Sequence, residues 1–137
     1  MSWLRKFWRD RRAEMDEAAF VIPVLLLVTF GLINFGMLGY ASVSAGNAAN
    51  YGARMGSVAQ ANPQGVAASS TNRMLSGTTV GSYQVSVSGG GSPGSLIRVQ
   101  VRYQVPNYFA SLANLFGVDL PGVISGNANA DFRQEGW

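Results

Sequence analysis

The most prominent pattern in the chain is a long apolar run close to its N-terminus. Residues 18–38 are almost wholly apolar, and no charged residue occurs between Glu17 and Arg54. As an α-helix this run is about 30 Å long, which matches the hydrocarbon thickness of a bilayer. A core helix of a soluble protein shows a polar face at the helical period, and this run shows none. We therefore predict a transmembrane helix over residues 18–40.

The helical pattern continues beyond the predicted membrane segment. Over residues 41–57, small side chains recur at every fourth position in two adjacent rows, which keeps them on one helical face. Such a smooth face lets another backbone approach closely and so offsets the low helix propensity of glycine. We predict one long helix, rather than a helix that frays after Ser44, with these packing positions: Ala45, Ala49, Gly52, Ala53 and Gly56.

Two features of this helix leave alternatives open. The small-residue face packs either on a helix of a neighbouring subunit or on the protein's own sheet. In the first case a bulky substitution abolishes assembly at normal abundance, and in the second the variant is degraded. Asn34, inside the apolar run, needs a hydrogen-bond partner, which is either a neighbouring helix or its own carbonyl four residues earlier.

After the long helix the pattern predicts a second helix and a β-hairpin. Asn62 and Pro63 are typical of a helix cap and of a first helical position, and the helix is predicted over residues 63–76. Apolar and polar residues then alternate over residues 81–87 and 95–105, on either side of a glycine-rich turn. This is an antiparallel hairpin with one buried face, which carries Ile97, Val99, Val101, Tyr103 and Val105.

A third helix and a third strand complete the predicted domain. Residues 107–116 carry four apolar side chains on one helical stripe: Tyr108, Leu112, Leu115 and Phe116. After Pro121, apolar and polar residues alternate weakly, as in a strand. The fold class is α+β: a long N-terminal transmembrane helix continues into a small α-β-β-α-β domain, with helices on one face of an antiparallel sheet.

The distribution of charge predicts how the chain lies in the membrane. Five of the ten basic residues lie in a leader over residues 1–17, together with aromatic residues that suit a headgroup interface. Basic residues beside a membrane segment favour the cytoplasm, so the domain over residues 41–137 is expected outside it. Acidic residues follow the basic ones closely, which argues against a nucleic-acid partner.

The composition argues against an enzyme, a cofactor and a metal site. The chain has no histidine and no cysteine, and its single lysine lies in the leader, so a serine nucleophile would lack a usual base. Asn127, Asn129 and Asp131 have the spacing that opens a calcium loop, but the glycine and the terminal glutamate of that loop are missing. On a strand these three side chains share one solvated face, which is the interpretation we adopt.

Residues 11–27, RRAEMDEAAFVIPVLLL, resemble the class III (prepilin-type) signal of TadE-like pilus assembly proteins. In that family a basic leader ends at a glycine, a glutamate follows at the fifth position after the cut, and a proline lies six residues beyond it. Glu17 and Pro23 match this spacing, and Gly-Ala-Arg at residues 52–54 resembles the motif that ends the family's long helix. The resemblance covers most of the chain and is specific over residues 11–56.

The chain departs from the family pattern at the processing site. Counting back from Glu17, Arg12 occupies the glycine position, whereas a cut after Ala13 would make Glu17 the fourth residue. The leader is therefore removed after one of these residues or retained. The resemblance implies that the glutamate of a processed subunit pairs with the N-terminal amine of a neighbour, a pairing that low dielectric favours. In a retained leader, Glu17 marks the boundary of the membrane interface.

The resemblance implies a structural protein that works by assembly. The expected function is that of a minor pilin or pseudopilin in a Tad-type (type IVc) pilus or a related secretion apparatus. Implied partners are the membrane, other pilin or pseudopilin subunits in homo- or hetero-oligomers, the Tad inner-membrane machinery and, if the leader is cut, a prepilin peptidase. The implied location is the bacterial inner membrane, crossed once, with a cytoplasmic N-terminus and a periplasmic or extracellular domain.

The alternative is a small secreted or anchored binding domain with an ordinary signal sequence. Val43, Ser44 and Ala45 offer the small residues of a signal-peptidase site. Two observations argue against it. The apolar run is longer than the roughly 7–15 residues of cleavable signals, and a cut there would divide the predicted long helix.

Overall fold

One continuous α-helix, α1, forms the first part of the structure and extends over Ser2–Ser57. The computed structural model describes residues 2–135, with side chains for Met15 and from Glu17 onward. At a rise of about 1.5 Å per residue, α1 is about 84 Å long. Pro23 lies inside the helix without ending it. The prediction of a single helix that continues from the apolar run to Ser57 is confirmed.

Five shorter elements follow α1 and complete the domain. In chain order they are α2 (Pro63–Leu75), β1 (Ser82–Gly89), β2 (Leu96–Pro106), α3 (Tyr108–Leu115) and β3 (Val123–Arg133). The strands form one antiparallel sheet in the order β1-β2-β3, with β2 in the centre. The predicted α+β class and the α-β-β-α-β order are confirmed.

Local sequence accounts for the start of both short helices. Asn62 Oδ1 accepts a hydrogen bond from the backbone N–H of Gly65 at 3.1 Å, and Pro63 occupies the first turn, where its missing N–H costs nothing. Asn107 Oδ1 accepts from the backbone N–H of Phe109 at 3.1 Å in the same way. The predicted cap at Asn62 is confirmed.

The sheet has one buried and one solvated face. Along β2, buried apolar side chains alternate with exposed polar ones, and Ile97, Val99, Val101 and Val105 are fully buried. β3 shows the same alternation with smaller side chains, such as Ala128 opposite Val101 and Ala130 opposite Val99. These small residues leave room for α1, which packs against both β2 and β3. The predicted alternation is confirmed.

α1 packs against the domain along only part of its length. None of residues 17–30 is buried, and we call this stretch the free portion of α1. Over residues 31–57, which we call the docked portion, one stripe is buried against the other elements. The stripe contains Gly31, Asn34, Ala41, Ala45, Ala48, Ala49, Gly52, Ala53, Gly56 and Ser57. Packing thus begins before residue 40, within the predicted membrane segment.

β2 runs alongside the docked portion in the opposite direction. A Cβ atom placed on Gly56 would lie 3.3 Å from Ile97 Cδ1, at the start of β2. A Cβ atom placed on Gly31 would lie 3.1 Å from the ring of Phe109, which follows the end of β2. α3 therefore lies beside the part of the docked portion nearest the free portion, and α2 lies beside the C-terminal end of α1.

The apolar stripe of α3 faces outward. α3 contacts α1 rather than covering the sheet, and its only buried residue is Ala110. Leu115 and Phe116, which belong to the predicted stripe, are 79% and 67% exposed. The reason is that Asn107 ties the start of α3 to α1, which turns Phe109 and Ala110 inward. The expectation that the helices lie on one face of the sheet is wrong for α3.

Candidate functional site

The free portion of α1 presents apolar side chains on all sides. Phe20 is 81% exposed and Leu25 is 64% exposed. The hydroxyl of Thr29 donates to the carbonyl oxygen of Leu25 at 2.8 Å, so its polar group is satisfied inside the helix. In the described part of the chain, one helix, spanning Glu17–Ser57, is long and apolar enough to cross a membrane. This geometry fits a single-pass membrane protein.

The predicted processing residues lie on α1 at and before the start of the free portion. Glu17 is exposed, and Pro23 follows about 9 Å further along the helix axis. The backbone of Arg12 and Ala13 belongs to α1, whereas their side chains lie outside the described residues. The structure keeps this signal on one uninterrupted helix, away from the domain. Cleavage after Arg12 or Ala13 stays a prediction.

Asn34 carries a hydrogen-bond network that joins α1 to α3. The residue is 3% exposed, and its Nδ2 donates to Asn107 Oδ1 at 2.8 Å. Asn34 Oδ1 accepts from the backbone N–H of Tyr108 at 3.3 Å. Asn107 Nδ2 in turn donates to the carbonyl oxygen of Pro121 at 2.8 Å, in the loop after α3. The partner of Asn34 is thus the start of a neighbouring helix in the same chain, and not its own carbonyl four residues earlier.

Sequence patterns do not single out Asn107 and Phe109, which complete this contact. The ring of Phe109 lies against Gly31 and helps to line an apolar crevice of about 100 Å³ together with Asn34, Phe35, Leu38 and Ile124. The signal for Asn107 is its place directly before a helix, where an asparagine caps the first turn. Phe109 has no such signal, because its orientation depends on how α3 docks.

The small-residue face of the docked portion is occupied by the chain's own domain. A Cβ atom on Gly52 would collide with the Thr71 hydroxyl and lie 2.8 Å from the Ala67 carbonyl oxygen, both in α2. On Gly56 it would lie 2.8 Å from Ala67 Cβ and 2.9 Å from the Pro63 carbonyl oxygen. The other predicted packing residues are at most 1% exposed in the same core: Ala45, Ala49 and Ala53.

This arrangement decides between the two partners considered for the face. α2 and the sheet lie against the small residues, so a neighbouring subunit's helix has no room there. In the structure, the small-residue face packs on the protein's own domain, against α2 as well as against the sheet. The free portion and the outer face of the docked portion, which includes Leu32, Phe35 and Val43, stay open to other molecules.

The solvated face of the sheet contains an ion pair. Arg98 Nε and Nη2 each donate to a carboxylate oxygen of Asp131 at 2.7 Å. These hydrogen bonds hold the pKa of Asp131 below its usual value and the pKa of Arg98 above its usual value. Asn127 and Asn129 lie on the same strand as Asp131, whose two oxygens are already engaged. Over the residues that the structure describes, no group of His, Cys, Asp or Glu side chains could hold a metal ion.

Comparison with protein families gives a result that agrees with this geometry. A family model described as TadE-like protein matches residues 17–54, which comprise the free portion and most of the docked portion. Comparisons with curated proteins and with solved structures give no match. The match suggests a component associated with Tad pili, and TadE-like pilus proteins are structural proteins. The match confirms the predicted resemblance to TadE-like pilus assembly proteins over residues 17–54.

Proposed function

We propose that this protein is a membrane-anchored minor pilin or pseudopilin of a Tad-type pilus or a related secretion apparatus. It acts by assembly with other proteins and catalyses no reaction. The proposal rests on the TadE-like match over residues 17–54, which coincides with an exposed apolar helix joined without interruption to a folded domain. Such a helix anchors a subunit in the bilayer and offers its surface to other apolar helices.

The proposed location is the bacterial inner membrane. Residues 18–40 cross it once, the leader over residues 1–17 is cytoplasmic, and residues 41–137 form a domain on the other side. The basic residues of the leader support this orientation. The proposed partners are other pilin or pseudopilin subunits and the Tad inner-membrane machinery, with a prepilin peptidase acting on the leader if it is cut.

The packing of α1 supports an anchored subunit over a secreted binding domain. A signal-peptidase cut after Ala45 would remove Gly31, Asn34 and Ala41, and would open the core that Ala41 and Ala45 share with β2. The intact mass of the purified protein distinguishes the cases. A full-length chain, or loss of the segment up to Arg12 or Ala13, supports the proposal, and loss of the segment up to Ala45 overturns it.

Site-directed cross-linking tests the assembly role, because a chain without cysteine accepts single thiol probes. Leu25→Cys places a thiol on the free portion, where the side chain is 64% exposed. Gln100→Cys places the matched control on the solvated face of the sheet, where it is also exposed. In membranes of pilus-building cells, a thiol-reactive cross-linker is expected to join Leu25→Cys to other subunits and to leave Gln100→Cys largely unlinked.

A strain that lacks the genes of the pilus machinery serves as the comparison for the cross-linking experiment. We expect the Leu25→Cys cross-links to disappear there while the anchored protein remains in the membrane. Deletion of the protein itself is expected to reduce piliation, and the cysteine-free chain to restore it. Cross-links that persist without the machinery, together with normal piliation in the deletion strain, would overturn the proposal.

A further inference from the structure

The end of the domain beside the free portion exposes a cluster of apolar side chains. Its most exposed apolar residues are Leu115 (79% exposed), Phe116 (67%), Val118 (50%) and Val123 (52%). We call this surface, over residues 115–123, the apolar end. Asp119 is its single charged residue, and the sixteen positions before Asp119 are uncharged. An exposed apolar cluster on a folded domain indicates a contact surface for lipid or for protein.

The height of α3 along α1 points to lipid. The free portion is only about 20 Å long as a helix, whereas the hydrocarbon core of a bilayer is about 30 Å thick. Glu17 and several residues just before it are charged. Extending the membrane span toward the N-terminus would therefore place charged side chains in hydrocarbon, at a high cost in free energy. The bilayer must therefore reach to about Leu38. Because Phe109 contacts α1 at Gly31 and Asn107 at Asn34, α3 lies beside this last stretch of the span.

The hydrogen bonds at the ends of α3 suit an apolar surrounding. At its start, the side chains of two asparagines accept from the first backbone N–H groups. At its end, the N–H groups of Phe116 and Val118 donate to the Ala113 carbonyl oxygen at 2.9 Å and 3.0 Å. Hydrocarbon offers no hydrogen bonds, so a helix placed in it needs its end groups paired within the protein. α3 thus has several of its end groups paired within the protein at both ends.

The start of α3 adjoins the exposed surface of α1. An apolar crevice between α1 and the domain, lined in part by Phe35, Phe109 and Ile124, lies at this junction. Phe35 itself is 75% exposed on the outer side of this crevice. A protein partner would have to fit both α1 and the apolar end at once, whereas fluid acyl chains cover such a stepped surface without a specific fit. The position of α3 beside the membrane span therefore favours lipid as the occupant.

We infer that the apolar end inserts into the leaflet on the domain side of the membrane, where lipid covers Leu115, Phe116 and Val118. The inference rests on the proposed membrane insertion of α1. The start of α3 lies between Gly31 and Leu38 on α1, at a depth comparable to the roughly 5–10 Å at which interfacial helices lie. The domain is then held against the bilayer at two places, by α1 and by the apolar end, which restricts its tilt relative to the membrane.

The experiment uses the full chain reconstituted in vesicles of phosphatidylethanolamine and phosphatidylglycerol. A polarity-sensitive fluorophore is attached to single cysteines introduced as Leu115→Cys, Ser86→Cys or Leu25→Cys. Ser86 is the matched exposed control on the solvated sheet face, and Leu25 reports insertion of α1. Because Leu115 is 79% exposed, its replacement leaves the core intact. Nitroxide-labelled lipids then measure how close each probe lies to the acyl chains.

We expect lipid quenching of the Leu115→Cys probe to exceed that of the Ser86→Cys probe severalfold, with stronger quenching by nitroxides near the headgroups than near the bilayer centre. A quenched Leu25→Cys probe together with an unquenched Leu115→Cys probe would overturn the inference and leave the anchor in place. An unquenched Leu25→Cys probe would instead overturn the membrane insertion on which the inference rests. The Leu115→Cys probe could instead become less exposed to water as the number of protein molecules per vesicle rises, without quenching by the labelled lipids. That result would assign the surface to a second copy of the protein and overturn the inference of lipid contact.

Discussion

Asn34 is the polar side chain through which the long helix holds the domain. Its amide is buried and bonds both to the Asn107 side chain and to the backbone of Tyr108. At the expected depth in the bilayer, no water molecule replaces a lost hydrogen-bond partner. The hydrogen bond between Asn34 and Asn107 therefore resists opening more than a hydrogen bond between two water-exposed side chains would. An asparagine in an apolar helix is therefore a docking point for α3.

We predict that Asn34→Ala loosens α3 from α1. The Tyr108 N–H loses its acceptor, at a cost of about 1–3 kcal/mol for an unpaired buried donor. Hydrogen exchange of the Tyr108 amide in detergent micelles is expected to accelerate markedly. The control is Asn50→Ala on the same helix, since Asn50 is exposed and bonds only to its own Gly46 carbonyl oxygen. Equal exchange in both variants would contradict the docking role.

Gly52 provides a second prediction at the residue scale. In an open helix, Gly→Ala raises stability by up to about 1 kcal/mol through helix propensity. At Gly52 the added methyl group would meet the Thr71 hydroxyl and the Ala67 carbonyl oxygen, so α2 would be displaced. We expect Gly52→Ala to lower abundance in membranes and to increase protease sensitivity. At Gly46 a Cβ atom would meet nothing within 4 Å, so Gly46→Ala is expected to be neutral or stabilising.

The outcome separates intramolecular from intermolecular packing. Loss of abundance in Gly52→Ala reports damage to the subunit itself. Normal abundance and protease resistance, with assembly lost, would mean that a neighbouring subunit uses the face, contrary to the observed packing.

At the scale of elements, β2 is the strand on which the core depends. It is central in the sheet, and its buried face lies between its neighbours and α1. Val101 is fully buried, with Val85 opposite it on one side and Ala128 on the other. A one-residue slip of this strand would expose every buried side chain, so its register is strongly specified.

We predict that Val101→Asp unfolds the domain. The substitution buries an unpaired carboxylate, which costs several kcal/mol. Gln100→Asp is the matched control, because it introduces the same residue one position away on the solvated face, next to Arg98 and Arg102 along the strand. Limited proteolysis of the two variants is the measurement. Similar cleavage rates would show that the two faces are not distinguished as the structure indicates.

At the scale of the whole molecule, α1 is one uninterrupted helix that joins the leader, the free portion and the domain. The helix has no break between the leader and Ser57, and the domain packs along its docked portion. In the proposed membrane orientation, we therefore expect movement of the free portion to be transmitted to the domain. This coupling suits a subunit whose membrane helix and outer domain take part in the same assembly.

Topology is the prediction that belongs to the whole molecule. Basic residues are concentrated in the leader, so the N-terminus is expected in the cytoplasm and the domain outside it. A reporter enzyme that works only outside the cytoplasm, fused after Trp137, is expected to be active. A reporter that works only inside serves as the control and is expected to be inactive. The reverse result would contradict the orientation and the pilus function together.

Periodicity in the sequence determined much of this structure. An apolar run without a polar face predicts the membrane helix, strict alternation predicts β2, and Asn62-Pro63 predicts the start of α2. These features depend on neighbouring residues along one helix or strand, so they are readable without the rest of the fold. The TadE-like resemblance over the same helix was likewise visible in the spacing of Glu17 and Pro23.

Tertiary structure decided what covers each surface. Periodicity shows that Gly52 and Gly56 share a face with small residues, but only the fold shows that α2 lies on it. Periodicity likewise leaves the partner of Asn34 open, and it does not indicate that the apolar stripe of α3 faces outward. The physical reason is that a helical stripe has the same pattern whether protein or lipid covers it, since both remove apolar surface from water.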